Sequence, residues 1–198
     1  MVSVGVLALQ GDFLEHIQLL NSIPGVGSFA VKFKNDLDKL DALIIPGGES
    51  TTIGRLLTIK GLDVGIREFV NSGRPVMGVC AGAILLAKNV VDRFVGETGQ
   101  FTLRLMNIKV LRNAFGREKD SFESEVFVDI LGNMKAVFIR GPAIVEAWGD
   151  AKIIGFIDHP LGRFGAVAIE RNLIAVAFHP ELTGDIRLYK YLISEARR

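Results

Sequence analysis

Three short stretches carry residue types that can do chemistry together: Gly78-Val79-Cys80-Ala81-Gly82, Phe178-His179-Pro180-Glu181 and Pro46-Gly47-Gly48-Glu49-Ser50-Thr51. The first holds the only cysteine of the chain, with a glycine two positions away on either side. A G-x-nucleophile-x-G frame after an apolar run marks a sharp strand-to-helix turn, whose flanking positions have little room for a Cβ. Such a turn projects the thiol of Cys80 from the sheet edge, and the helix start behind it favours the thiolate. The competing reading is an inert buried cysteine, the common fate of a free one.

A thiol that attacks a carbonyl needs a base, and the base needs a group that holds its tautomer. His179 and Glu181 stand at i and i+2, on one side of an extended segment, and Pro180 disfavours a helical conformation at His179. An exposed loop histidine beside a solvated acid fits the same four residues. The oxyanion of a tetrahedral intermediate needs N–H donors, which Gly47 or Gly48 and Ala81 supply if their two loops lie side by side. Taken alone, Pro46-Gly47-Gly48 is a tight turn. Glu49 and Ser50 suit the polar end of a substrate, although Ser50 suits a helix cap equally well. Arg112 and Arg140 each end an apolar strand pattern and have the fork that grips a carboxylate, though arginines more commonly face solvent. His16 and His159 have no acid two residues beyond them and read as structural or surface groups.

These residues need a scaffold that brings distant loops to one place. Residues 2–9 form a near-continuous apolar run, the mark of a strand covered on both faces. Gly11-Asp12 turns the chain, Asp12 with Glu15 is placed to cap a helix, and Pro24-Gly25 ends it. Strands are expected at 29–33 and 42–45. A helix follows the glycines through Ile53, Leu56 and Leu57, and a second, capped by Asp63, runs to Ser72-Gly73. Residues 75–79 read as strand and 81–89 as helix. The second half reads as strands at 103–111, 125–130, 136–139, 153–157, 165–170 and 173–178, closed by a helix over 183–197, with Arg197 and Arg198 in its last turn. The fold class is therefore α/β: an open, mostly parallel central sheet with helices on both faces and antiparallel strand additions in the C-terminal half. Ligands bind such sheets beyond the carboxyl ends of the strands, where Gly47, Gly48 and Cys80 would lie.

Composition narrows the function. The 198 residues suit a single domain over 1–198, and 49% hydrophobic against 23% charged residues is a globular balance. A formal charge of +1 without basic runs argues against nucleic acid as a partner. One cysteine cannot form an internal disulfide, which suits the cytoplasm, and no Cys/His spacing resembles a metal site. The first ten residues lack the charged region of a signal peptide, and no apolar run is long enough for a membrane span.

In this order, the three motifs resemble those of the class I (triad) glutamine amidotransferases. Within that superfamily, Leu9-Gln10-Gly11, Arg112-Asn113-Ala114-Phe115-Gly116-Arg117, Ser121-Phe122-Glu123 and Phe138-Ile139-Arg140 are most similar to the glutaminase subunits of pyridoxal 5'-phosphate synthase. The resemblance runs from Val4 to about Glu181. It implies hydrolysis of L-glutamine to L-glutamate and ammonia without a cofactor, and passage of the ammonia to a synthase partner in a large hetero-oligomer that makes vitamin B6. It further implies Cys80 as nucleophile, His179 as base and Glu181 as its orienter, with Gly48, Glu49, Ser50, Arg112, Ile139 and Arg140 lining the glutamine site. It also implies a glutaminase that is weak until the synthase docks. Residues 91–105 and 158–164 depart from the family pattern, and Gly141 stands where alanine is usual. The alternatives are a glutaminase serving another amidotransferase, such as one of imidazole glycerol phosphate synthesis, or a non-catalytic domain that keeps Cys80 as a sensor.

Overall fold

The computed structural model describes residues 1–116 and 121–197. Arg117 and Arg198, named above, lie outside them. In chain order the elements are β1 (Val2–Leu7), α1 (Phe13–Asn21), β2 (Val26–Val31), β3 (Ala42–Ile45), α2 (Ser50–Ile59), α3 (Leu62–Asn71), β4 (Val76–Val79) and α4 (Ala81–Leu86). They continue with β5 (Ala87–Asp92), β6 (Gly96–Glu97), β7 (Met106–Arg112), β8 (Phe122–Val128), β9 (Gly132–Phe138) and β10 (Ala143–Ala147). The chain ends with β11 (Lys152–His159), β12 (Gly162–Glu170), β13 (Leu173–Val176) and α5 (Arg187–Glu195).

Five neighbouring strands, β2-β1-β3-β4-β13, run parallel. The sheet then continues through antiparallel β12, β10 and β7 to β5 and β6, while β11, β8 and β9 branch from β12 as an antiparallel wing. Alternation along the central strands supplies two cores. Val4 and Val6, Ala42 and Ile44, Met77 and Val79, and Ile174 and Val176 face the layer of α1 and α5. Leu43 and Ile45, Val76, and Leu173 and Ala175 face the layer of α2, α3 and α4. A strand buried on both faces must be apolar at odd and even positions alike, which is why β1 and β3 read as continuous runs.

Several elements differ from expectation. β2 lies at 26–31 because it pairs in register with β1 from Val2↔Val26 to Leu7↔Val31. The amides of Lys32 and Phe33 donate instead to Asp36 Oδ2. Asp12 occupies the cap position of α1 but makes no side-chain cap bond, and α3 begins at Leu62 behind a left-handed Gly61, with Asp63 inside its first turn. The helix after Cys80 stops at Leu86, where Ala87 becomes extended and β5 joins β7 in parallel. β10, unrecognised in the sequence, owes its existence to pairing with β7 and β12. α5 starts only at Arg187, since Gly184 at φ +71° breaks the turn and the Asp185 carboxylate accepts the Arg187 amide. Arg197 lies beyond the end of α5, so the basic last turn expected there is absent. Among the described residues no helix is long and apolar enough to cross a membrane.

Candidate active site

The elbow forms as its glycines require. Cys80 adopts φ 49° and ψ −100°, a conformation that L side chains rarely enter, and it persists because both ends are fixed. Its N–H donates to Val176 O at 2.8 Å, and its carbonyl accepts the Ile84 amide at 3.2 Å. A Cβ on Gly82 would overlap the Ile45 carbonyl oxygen, and one on Gly78 would stand 2.5 Å from the Gly82 backbone. Both glycines are therefore demanded by the close packing of β3, β4 and α4.

The loops beyond the ends of β1, β3, β4 and β13 converge on Cys80. Asp12 N–H donates to Gly47 O at 3.3 Å, and Glu49 N–H to Gln10 Oε1 at 2.8 Å, so the β1 and β3 loops are laced together. His179 N–H donates to Val137 O at 2.9 Å, which fastens the histidine loop to β9. A short 3-10 turn over Pro180–Leu182 then carries Glu181 back beneath the ring. His179 Nδ1 lies 2.5 Å from Glu181 Oε1, leaving Nε2 as the ring nitrogen available to the thiol of Cys80, which lines the same cleft. Cys80, His179 and Glu181 are all buried. Burial pulls His179 down, but hydrogen bonds to Cys80 and Glu181, together with their charges, outweigh it and raise the imidazole well above its ordinary value. Asp12 Oδ2 lies 3.4 Å from the same Nδ1, and burial raises this half-buried carboxyl above the usual range despite the pull of His179.

An open cleft of about 350 Å³ lies in front of the thiol. Gly48, Glu49, Ser50, Cys80, Arg112, Ile139, Arg140 and His179 line it, all singled out in the sequence. Gly47 and Ala81 flank the lining, Gly47 facing the His179 ring and Ala81 buried beside Cys80. Glu181 sits behind His179, away from the cleft. Ser50 does not use its hydroxyl as a cap: it donates to Gln100 Oε1 at 3.3 Å, and Arg112 donates to the same oxygen at 2.5 Å. Arg140, at φ 48°, lies 3.4 Å from Glu49 across the mouth.

Gln10, Asp12, Ile84 and Asn113 also line the cleft, and the motif reading gave them no role. For Gln10 and Asp12 a signal existed: they follow the end of β1, the strand beside β3, where an open parallel sheet gathers its ligand contacts. His16, read as structural or surface, is wholly buried against Glu181 and Tyr189. His159 packs its ring on Phe115 and Phe122, with centroids 5.0 and 5.2 Å apart.

Chemically, the arrangement offers a thiol beside an imidazolium that a carboxylate supports, at the floor of a cleft bearing the guanidinium groups of Arg112 and Arg140 and the carboxyl groups of Glu49 and Asp12. It can form and resolve an acyl-thioester on a small zwitterionic substrate.

Comparison with known proteins supplies the chain's relatives. Residues 6–198 match the model of the SNO glutamine amidotransferase family. The pyridoxal 5'-phosphate synthase subunit PdxT of Hyperthermus butylicus is 53% identical over 198 residues, covering 100% of this chain and 98% of the relative. The protein of the same name from Pyrobaculum aerophilum is 48% identical, covering 98% of each. Among solved structures, a glutamine amidotransferase superposes with a TM-score of 0.88 at 40% identity, over 98% of this chain and 99% of that one. A glutamine amidotransferase from Thermotoga maritima shares the fold at 13% identity, with a TM-score of 0.58 over 99% of this chain and 85% of that one.

Proposed function

This chain belongs to the SNO glutamine amidotransferase family, and we propose from that premise that it hydrolyses L-glutamine through Cys80, His179 and Glu181 and hands the ammonia to a pyridoxal 5'-phosphate synthase partner. The observation that carries the reading is the ring of His179, held at 2.5 Å by Glu181 and lining one cleft with Cys80.

The thiolate of Cys80 attacks the side-chain carbonyl carbon of glutamine, and the carbonyl electrons move to oxygen. N–H groups of Gly47 or Gly48 and Ala81 receive that oxyanion. His179 gives its proton to the amide nitrogen, the C–N bond breaks, and ammonia leaves a γ-glutamyl thioester. Water, deprotonated by His179, then attacks the thioester, and glutamate departs as the thiol re-forms. Arg112 and Arg140 suit the substrate carboxylate and Glu49 its ammonium group, with Ser50 and Ile139 completing the wall. The names of the full-length relatives support a synthase partner, and with it a hetero-oligomer in which ammonia need not enter bulk water. A single cysteine that must stay reduced suits the cytoplasm.

The test is glutamate release from L-glutamine by the purified chain, with and without its cognate synthase, against Cys80→Ala. Turnover that needs both Cys80 and the synthase is the expected result. Turnover without the synthase keeps the chemistry and discards the dependence on docking, while no turnover in either mixture overturns the reading.

A further inference from the structure

Behind Glu181, on the side away from the thiol, lies a polar group of the fold that the reaction as written does not use. His16 projects from α1 and Tyr189 from α5, both wholly buried, and His16 Nδ1 lies 2.7 Å from the Tyr189 hydroxyl. The other ring nitrogen, Nε2, faces Glu181 Oε2 at 3.6 Å. Neither of these two atoms has a hydrogen-bond partner among the described residues. A buried donor or acceptor left alone is costly, so two that face each other across such a gap are each other's natural partners. Closing to the long end of a good N–H···O bond, about 3.2 Å, takes a shift of a few tenths of an ångström.

The tautomer follows from the neighbours. With its proton on Nδ1, His16 would donate to the tyrosine oxygen and turn a lone pair toward a carboxylate, which repels it. With its proton on Nε2, the Tyr189 O–H donates to Nδ1 and the Nε2–H points at Oε2, so every polar group is satisfied. Burial, and then the charge of Glu181, raise Tyr189 and keep it a phenol able to donate. Burial outweighs Glu181 and lowers His16 to about 4, so the ring is neutral at working pH. A neutral donor holds the carboxylate without cancelling the charge that Glu181 owes to His179.

We propose that His16 and Tyr189 are positioning residues of the triad: the tyrosine hydroxyl fixes the histidine tautomer, and the histidine Nε2–H clamps Glu181 Oε2 so that Oε1 stays on His179 Nδ1. The clamp matters because a rival is present. Asp12 Oδ2, 3.4 Å from that same Nδ1, takes over the imidazole if Glu181 rotates away. The groups that bear on Glu181 are His179 in front, His16 and Asp12 on the α1 side, and Tyr189 on α5. This inference rests on the triad reading, since it assigns a role only if Glu181 serves His179.

The experiment measures kcat, KM and the pH profile of glutamate release between about pH 5 and 9, with the synthase present, for Tyr189→Phe, His16→Leu and His16→Gln. Tyr189→Phe and His16→Leu are expected to lower kcat about tenfold, the size of one lost hydrogen bond to a charged group, with KM within about twofold. Without Oε1 on Nδ1, His179 loses one of the hydrogen bonds that raise it, so the basic limb of the profile moves to lower pH in both. His16→Gln, whose amide N–H reaches the same oxygen, restores rate and profile. Unchanged kcat and profile in the first two overturns the proposal, and so does a loss uniform across pH that His16→Gln does not rescue. Should His16→Leu fail to fold, Tyr189→Phe, which removes a single oxygen, decides with His16→Gln. Cys80→Ala separates the two readings: if it still turns over glutamine the triad reading falls, whereas a dead Cys80→Ala beside unmoved variants defeats the clamp alone.

Discussion

At the scale of single residues, space around His179 is a tight constraint. A Cβ on Gly47 would stand 2.5 Å from His179 Cε1 and 2.7 Å from Asp12 Oδ2. Gly47→Ala is therefore expected to push the imidazole off line and lower kcat by roughly a hundredfold with far-UV circular dichroism unchanged, since misplacement by about 1 Å costs that much. His16 gives a second prediction, on stability. Its folded value near 4 lies below the unfolded 6.5, so between these values the unfolded chain binds the extra proton and stability falls as the pH drops through that window. His179 is shifted the other way, and its contribution is present below 6.5 and lost only as pH rises above it. Urea unfolding of wild type against His16→Gln is thus expected to show an extra loss in wild type of about 1.4 kcal/mol per pH unit on acidification from 6.5 toward 4.

At the scale of elements, the elbow stores strain at one residue and fits glycine on both sides of it. Alanine ordinarily stabilises a chain relative to glycine by a few tenths to about 1 kcal/mol. At Cys80 the order reverses: with φ at 49° and ψ at −100°, Cys80→Gly is expected to be more stable than Cys80→Ala by about 1 kcal/mol in denaturant unfolding, both variants being inactive. Equal stabilities, or alanine ahead, would show that the turn relaxes when the thiol is gone. The elbow was legible in the sequence because its demands are local. The end of the helix behind it was not, since Ala87 and Lys88 carry no stop signal and only pairing with β7 draws them into β5.

At the scale of the molecule, the two halves divide the work. The parallel half supplies the thiol, the histidine loop and the glycine loop, whereas the antiparallel half supplies Arg112, Ile139 and Arg140. An aromatic cluster joins them: Phe138, at the end of β9, contacts Phe115, Phe122 and Phe178, with centroids 5.2, 5.0 and 5.8 Å apart. Phe178 immediately precedes His179, and Ile139-Arg140 immediately follow Phe138, so one ring positions both walls of the cleft. Phe138→Ala is expected to cost about 3–5 kcal/mol of stability. In the fraction that remains folded, KM for glutamine should rise more than kcat falls, as steady-state kinetics would show.

The sequence by itself determined the alternating elements of the parallel half and the elbow, because spacing and glycine requirements act within a few residues. It offered Cys80, His179 and Glu181 as candidates whose roles came from the family resemblance. Tertiary structure alone decided the rest. His16 lies 165 residues before Glu181, and nothing in its neighbourhood along the chain marks it; packing α1 and α5 on one face of the sheet makes it a neighbour of the carboxylate. Gln100 likewise becomes the shared acceptor of Ser50 and Arg112 only when the strand β5 and the loop after β6 fold across the cleft. Contacts between residues so far apart are set by the packing of whole faces, and a local pattern cannot encode them.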